Sequence, residues 1–262
     1  MTALHRVLDP ARGKQVPAGL CALAVMTKAP KAGRVKTRLT PPLTPVEAAA
    51  LNTCFLRDTA ASLATIAAEG KARGIGVYTP LGAEEAYEGI LPSEFELLPQ
   101  RGDGFDERLI CATEDLLRVG FESCCLIDSD SPTVPPRAFA QAVDLLNAPG
   151  DRVVVGPSDD GGYYLIGLKN VHREVFQKID WSTERVLEQT KARARDAGLE
   201  VELLPAWYDV DDRATLGRLC QELFGNKGNQ GGGHDAANTR EYLKDLIDRE
   251  GRDRIWPNES IS

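Results

Sequence analysis

Ala24-Val-Met-Thr-Lys-Ala-Pro-Lys-Ala-Gly-Arg-Val-Lys-Thr-Arg-Leu39 is the stretch on which the reading of this chain turns. The apolar run 20–26 leading into it has the makeup of a buried first strand, and a helical pattern begins near Thr44. Between them stand Lys28, Lys31, Arg34, Lys36 and Arg38, in a chain whose formal net charge is −8. A basic loop at the carboxyl end of a first strand is where an α/β domain meets a polyanionic ligand. No basic face extends the patch, so a specific phosphate site is expected and nucleic acid is not. Gly33 lets the backbone turn close to a ligand, and the helix beyond offers unpaired amides. The GxxxxGK[ST] spacing is absent, which excludes a P-loop.

Outward from that loop, apolar β-rich runs at 20–26, 74–79, 95–99, 123–127, 152–156, 163–168 and 200–204 alternate with helical patterns at 44–68, 105–119, 135–147, 183–197 and 212–223. Thr44 and Glu47, with Pro45 between them, have the spacing of a capping box. Such alternation predicts a Rossmann-like, three-layer α/β/α domain around a mostly parallel central sheet, over residues 19–224. Residues 1–18 include His5, Arg6, Asp9, Arg12 and Lys14 and have no apolar core. They read as a flexible leader, not a signal peptide. Residues 225–262 read as a Gly-rich linker followed by one amphipathic helix, with Tyr242, Leu243, Leu246 and Ile247 on its apolar side. Such a face suits docking on the core or pairing in a homodimer.

No apolar run approaches the roughly 20 residues that a membrane span needs. Six cysteines lack CxxC spacing and three histidines lack metal-ligand spacing, which suggests a cytoplasmic protein with reduced thiols. Its chemistry must then rest on carboxylates and cations.

Three acidic segments supply the carboxylates. Cys124-Cys-Leu-Ile-Asp-Ser-Asp130 delivers Asp128 and Asp130 at a strand's carboxyl end, and Trp207-Tyr-Asp-Val-Asp211 does the same with Asp209 and Asp211. Side chains two apart on extended backbone share a side, so each pair suits one metal or its waters. Oxygen-only donors favour Mg²⁺ or Mn²⁺. Asp130 and Asp211 are the preferred ligands, and Asp212 reads as a helix cap. The third segment, Asp159-Asp-Gly-Gly-Tyr163, pairs two carboxylates with Gly161 and Gly162, where backbone can approach an acceptor beside Tyr163. Gln100 and Gly102 are candidates to face a base or ribose, Arg108 to pair with a carboxylate, and Trp181 either to stack on a sugar or to pack in the core.

Lys28-Ala-Pro through Val35-Lys-Thr-Arg-Leu39, Asp130-Ser-Pro-Thr133, Asp160-Gly-Gly-Tyr-Tyr-Leu-Ile-Gly-Leu168, Trp181-Ser-Thr183 and Tyr208-Asp-Val-Asp211 together resemble the bacterial DUF2064 family. That family is also labelled radical-SAM/selenodomain-associated transferase 1 or arsenosugar-biosynthesis glycosyltransferase. The resemblance covers about residues 20–222. It implies a GT-A, nucleotide-diphospho-sugar transferase fold, a divalent metal, and phosphate-binding basic residues in the first loop. Carried over by position, Lys28, Lys36 and Arg38 would hold phosphates, and Asp130 and Asp211 the metal; Ala29, Pro30 and Gly33 are further candidate nucleotide-binding positions in the same loop. Two stretches depart from the family's pattern: Asp211-Asp-Arg-Ala-Thr-Leu216 at the last helix cap and Gly102-Asp-Gly-Phe105 after the third strand.

The function expected is metal-dependent transfer from an activated nucleotide, foremost glycosyl transfer from an NDP-sugar to a small acceptor. Asp159 or Asp160 would orient the acceptor hydroxyl or act as its base, and Lys36 would stabilise charge on the leaving diphosphate. The rival reaction is nucleotidyl transfer from an NTP to a phosphorylated acceptor. A non-catalytic nucleotide-binding protein is the third reading.

Overall fold

The computed structural model describes residues 5–225 and 233–256. Its strands are β1 (Cys21–Lys28), β2 (Ala72–Thr79), β3 (Glu96–Pro99), β4 (Ser123–Ile127), β5 (Arg152–Pro157), β6 (Tyr163–Leu168) and β7 (Glu200–Leu203). Among the described residues they form one sheet in the order β3-β2-β1-β4-β6-β5-β7. Only β6 runs antiparallel to its neighbours, β4 and β5. The cause is local: residues 158–162 link β5 to β6, and five residues cannot carry a crossover helix. From β1 the chain first builds outward to β2 and β3, then returns to place β4 on the other side of β1. The cleft above β1 and β4 is therefore the switch point where ligands of open α/β sheets bind.

The α-helices of the described residues are α1 (Pro45–Ala67), α2 (Phe105–Arg118), α3 (Pro136–Asn147), α4 (Val186–Asp196), α5 (Arg213–Phe224), α6 (Ala237–Glu250) and α7 (Arg252–Ile255). Alternation along β1 divides the core. Cys21, Leu23 and Val25 pack with Leu56 and Leu63 of α1 and Phe139 and Val143 of α3. Ala22 and Ala24 face the opposite layer, with Leu109 and Leu116 of α2 and Ala194 of α4. The three-layer expectation holds. The capping box at α1 is present in both directions, Thr44 Oγ1 accepting from Glu47 N and Glu47 Oε2 from Thr44 N. At α4 the start differs from the sequence reading. Ser182 takes φ +63°, Thr183 serves the preceding turn, and the helix begins at Val186 without a side-chain cap.

Residues 5–18 do not behave as a flexible leader. Val7 pairs in parallel with Leu97, Leu8 N donates to Leu97 O at 2.8 Å, and Leu97 N donates to Arg6 O at 2.9 Å. Leu8 is buried, and Arg6 pairs with Glu96. The segment thus covers β3, an edge strand whose backbone groups otherwise lie open. Charge alone concealed this, because only Leu8 and Val16 of the segment enter the core.

Most of the Gly-rich linker, residues 226–232, lies outside the described residues. The helix beyond it docks on its own chain: Leu243 and Leu246 of α6 are buried with Leu51 and Phe55 of α1 and Leu219 of α5. Asp58 anchors it. This carboxylate, 1% exposed on α1, accepts from Asn238 N at 3.0 Å, Asn238 Nδ2 at 2.8 Å and Thr239 N at 2.8 Å. It serves as an N-cap from another helix, at an α6 start that has no cap of its own. Asp58→Ala is expected to cost about 2 kcal/mol, the scale for orphaning buried donors of a charged acceptor. Urea unfolding should show it as a lower midpoint at unchanged slope.

Candidate functional site

A cleft of about 360 Å³ opens at the carboxyl ends of β1, β2 and β4. Lys28 ends β1, Thr79 ends β2, Gln100 follows β3, and Ser129 and Asp130 follow β4. Arg34, Lys36 and Arg38 enter from the basic loop, and Asp211 from the segment before α5. The first turn of α2 contributes Phe105 and Arg108.

At its centre Lys36 joins the two distant acidic segments. Its ammonium lies 2.8 Å from Asp130 Oδ1, 2.8 Å from Asp211 Oδ1 and 2.7 Å from Val210 O, so all three of its protons have acceptors. The side chain is 4% exposed and its backbone holds the left-handed φ of +47°, uncommon for a residue with a side chain. The Phe55 ring lies 5.5 Å from the ammonium. Burial opposes the charge on Lys36, but Asp130 and Asp211 outweigh it and its pKa is raised. Val210 N also donates to Asp130 O at 2.9 Å, which ties the two acidic segments backbone to backbone.

The other cations are differently placed. Lys28, Arg34, Arg38 and Arg108 line the cleft, and none has a carboxylate within ion-pairing distance among the described residues. Arg108 Nε donates to Gly102 O at 3.3 Å, instead of meeting the carboxylate expected for it. Four cations without carboxylate partners give this cleft of an acidic protein a locally positive potential, which suits an anion. Gln100 lines the same cleft, its amide NH₂ held by Val77 O at 2.8 Å and Thr27 O at 3.2 Å. Ala29, Pro30, Gly33 and Gly102 do not line it. Ala29 N donates to Thr79 O, Gly33 turns the loop at φ +71°, and Gly102 sits at φ +100°, where a Cβ would meet Glu107 Cβ at 2.8 Å.

Two further carboxylates stand outside the cleft lining. Asp128 accepts from Asp130 N and from Ser131 Oγ at 2.9 Å, so it shapes the turn that aims Asp130. Burial first, then the charge of Asp130, pushes its pKa well above the ordinary value. Asp209 accepts from Ser158 Oγ. Burial raises its pKa, Ser158 opposes this, and the charges of Asp160 and Asp211 add to the rise.

The β5–β6 turn is likewise set back from the cleft. Asp159 pairs with Arg218 at 2.6 Å, and Asp160 accepts from Gly162 N at 2.8 Å. A Cβ on Gly161 would stand 2.2 Å from Glu184 O, so this glycine permits close packing against the chain before α4. The Tyr163 hydroxyl is buried, and burial raises its pKa. Trp181 is half-buried, 4.8 Å edge-on from Phe105 and 6.5 Å from Tyr163. It reaches the cleft only through Phe105, whose ring is 54% exposed.

Asp130 and Asp211 converge on the Lys36 ammonium and offer oxygen only. In donor chemistry that suits Mg²⁺, which is commonly held by one or two carboxylates with substrate phosphates completing the shell. Among the described residues, no group of three or more His, Cys, Asp or Glu is arranged to hold a metal without such help.

Sequence reasoning missed Asn52, Thr79 and Phe105 as cleft residues. Asn52 had no signal, because a polar residue within a helix reads as solvent-facing. Phe105 had one, the departure at Gly102-Asp-Gly-Phe105, which changes a residue at the start of α2.

The fold is that of the nucleotide-diphospho-sugar transferases. A protein of Desulfovibrio desulfuricans G20, provisionally named a nucleotide-diphospho-sugar transferase, is 29% identical to this chain with a TM-score of 0.75, covering 90% of this chain and 99% of its own. Residues 62–183 match the family described as "Uncharacterized protein conserved in bacteria (DUF2064)", and the resemblance drawn from the motifs holds. More distant is a CMP:2-keto-3-deoxy-manno-octonic acid synthetase complexed with CTP, 14% identical over 76% of this chain and 96% of its own, TM-score 0.49. Rv0371c of Mycobacterium tuberculosis H37Rv, in complex with manganese, is 17% identical over 79% of this chain and 100% of its own, TM-score 0.45. Likenesses of that degree say nothing about chemistry. No curated protein matches the sequence. No helix among the described residues is long and apolar enough to cross a membrane.

Proposed function

We propose that this chain transfers a glycosyl group from a nucleotide-diphospho-sugar to a small acceptor. The observation that carries the reading is the convergence of Lys28, Arg34, Lys36, Arg38 and Arg108 with Asp130 and Asp211 on one cleft. The name of the Desulfovibrio relative supports it. In this reading the acceptor oxygen bonds to the anomeric carbon as the bond from that carbon to the diphosphate oxygen breaks, and NDP leaves. Asp130 and Asp211 would hold Mg²⁺ or Mn²⁺, which when bound supplies charge neutralisation on the leaving diphosphate. The unpaired cations add to that stabilisation where negative charge develops. On the acceptor side Asp160 is exposed and without an ion pair among the described residues, while Asp159 is held by Arg218. Because its turn is set back from the cleft, in this reading Asp160 takes the hydroxyl proton through a water.

A second reading, nucleotidyl transfer, is favoured by the number of unpaired cations. Lys28, Arg34, Arg38 and Arg108 suit a triphosphate at least as well as a diphosphate. The released product separates the two. Purified protein incubated with NDP-sugars, NTPs, Mn²⁺ and a panel of small alcohols and phosphate esters is expected to release NDP. Pyrophosphate release would establish nucleotidyl transfer instead. Saturable binding with neither product, across the whole panel, would leave a nucleotide-binding protein.

A further inference from the structure

Asn52 lies on α1, 5% exposed, and lines the cleft. Its side-chain amide makes no hydrogen bond with any described residue. Neither amide atom is sealed from solvent, so the part of this residue left open is its polar end, toward the cleft. The surroundings on the helix are otherwise apolar. Ala48, Leu51 and Phe55 on the same stretch of helix are fully buried, and an apolar side chain at position 52 would pack among them. Asparagine is also a poorer helix former than leucine. The chain thus presents a polar group to the cleft from an otherwise apolar stretch of helix, a pattern expected at functional sites.

Position along the helix places the amide within the cleft. Phe55 is three residues on, so the two side chains leave α1 from neighbouring positions on one side. The Phe55 ring lies beneath Lys36, the residue that joins Asp130 to Asp211. Asn52 therefore reaches into the diphosphate end of the cleft, where Lys36 already has all its protons engaged. We propose that the Asn52 side-chain NH₂ donates to a non-bridging oxygen of the donor's diphosphate. This rests on the nucleotide-using reading above. A neutral amide adds a directional donor at that point without further charge to balance.

The test uses the full chain and two variants, with pyrophosphate as probe in the presence of Mn²⁺. Asn52→Leu should leave the ligand-free melting temperature close to that of the native protein, because the amide faces the open cleft and the substitution breaks no hydrogen bond with a described residue. Its pyrophosphate affinity by calorimetry should fall roughly ten-fold or more, the size of one hydrogen bond to a charged group. Asn52→Asp, of the same size, should lose more, since it sets a carboxylate against the phosphate. Unchanged pyrophosphate affinity in Asn52→Leu overturns the proposal, as does a lowered melting temperature with unchanged affinity. Tighter Mn²⁺ binding by Asn52→Asp without pyrophosphate would place the residue against a cation and also overturn it. If the native protein binds neither pyrophosphate nor any NDP, the nucleotide reading itself fails and takes Asn52 with it. If the native protein binds and Asn52→Leu binds equally, only the role of Asn52 fails.

Discussion

Lys36→Met is expected to lower turnover by about 10²–10³-fold, the range found when one charge-stabilising donor is removed from an active site. The methionine keeps the length and apolar stem of the side chain, so the change is confined to the ammonium. In the free protein that ammonium holds Asp130 and Asp211 together, each at 2.8 Å. Removing it leaves two carboxylates facing one another, which is strongly destabilising when both are fully buried. Here they are 35% and 40% exposed, so water screens much of the repulsion and a loss of about 1 kcal/mol is expected. The informative readout is a pair of affinities moving in opposite directions. Mn²⁺ binding without nucleotide should strengthen, because both carboxylates are released from their internal cation. NDP binding should weaken, because the diphosphate loses a charge partner. Native-like turnover and NDP affinity in this variant would remove Lys36 from the site.

That Lys36 belongs to a phosphate site was legible from five cations following an apolar strand in a protein of negative net charge. That it is held between two aspartates was not, since residues 36, 130 and 211 meet only through the order of β1 and β4 and the return of the chain before α5. The strands were readable because each is a short apolar run between turn residues, and six of the seven run parallel as the β-α alternation requires. The exception, β6, follows from a link too short for a helix. Elements whose position depends on what they cover were harder. Residues 5–18 carry little apolar content, yet Leu8 fills a place beside β3 that only the finished sheet creates. Gly161 read as room for an acceptor, and its neighbour proves to be Glu184, twenty-three residues away in sequence. Asn52 was hidden for a related reason. Whether a helical asparagine meets water or a cleft depends on Phe55, Lys36 and the loops they support, none of which helical periodicity reports.

Asp130→Asn should abolish the metal-dependent part of nucleotide binding while leaving the fold in place. The side chain is 35% exposed, and the contact that ties this turn to the segment of Asp211 runs through backbone, from Val210 N to Asp130 O at 2.9 Å. An amide of equal size preserves that geometry and the aim that Asp128 gives the turn through the Asp130 amide. It removes one of the two charges available to a divalent cation, and hard cations bind neutral amide oxygen far less well than carboxylate in a site with so few protein donors. Calorimetry with an NDP, with and without Mn²⁺, should therefore show metal-enhanced affinity in the native protein and equal affinities in the variant. Turnover should fall roughly 10³-fold or more, since charge on the leaving diphosphate would go unneutralised. Asp211→Asn should behave alike, because both carboxylates meet at the same point beside Lys36, whereas Asp128→Asn should retain most of the metal effect. If Asp130→Asn keeps a native response to Mn²⁺, the metal lies elsewhere, and the cleft's carboxylates serve only to hold Lys36.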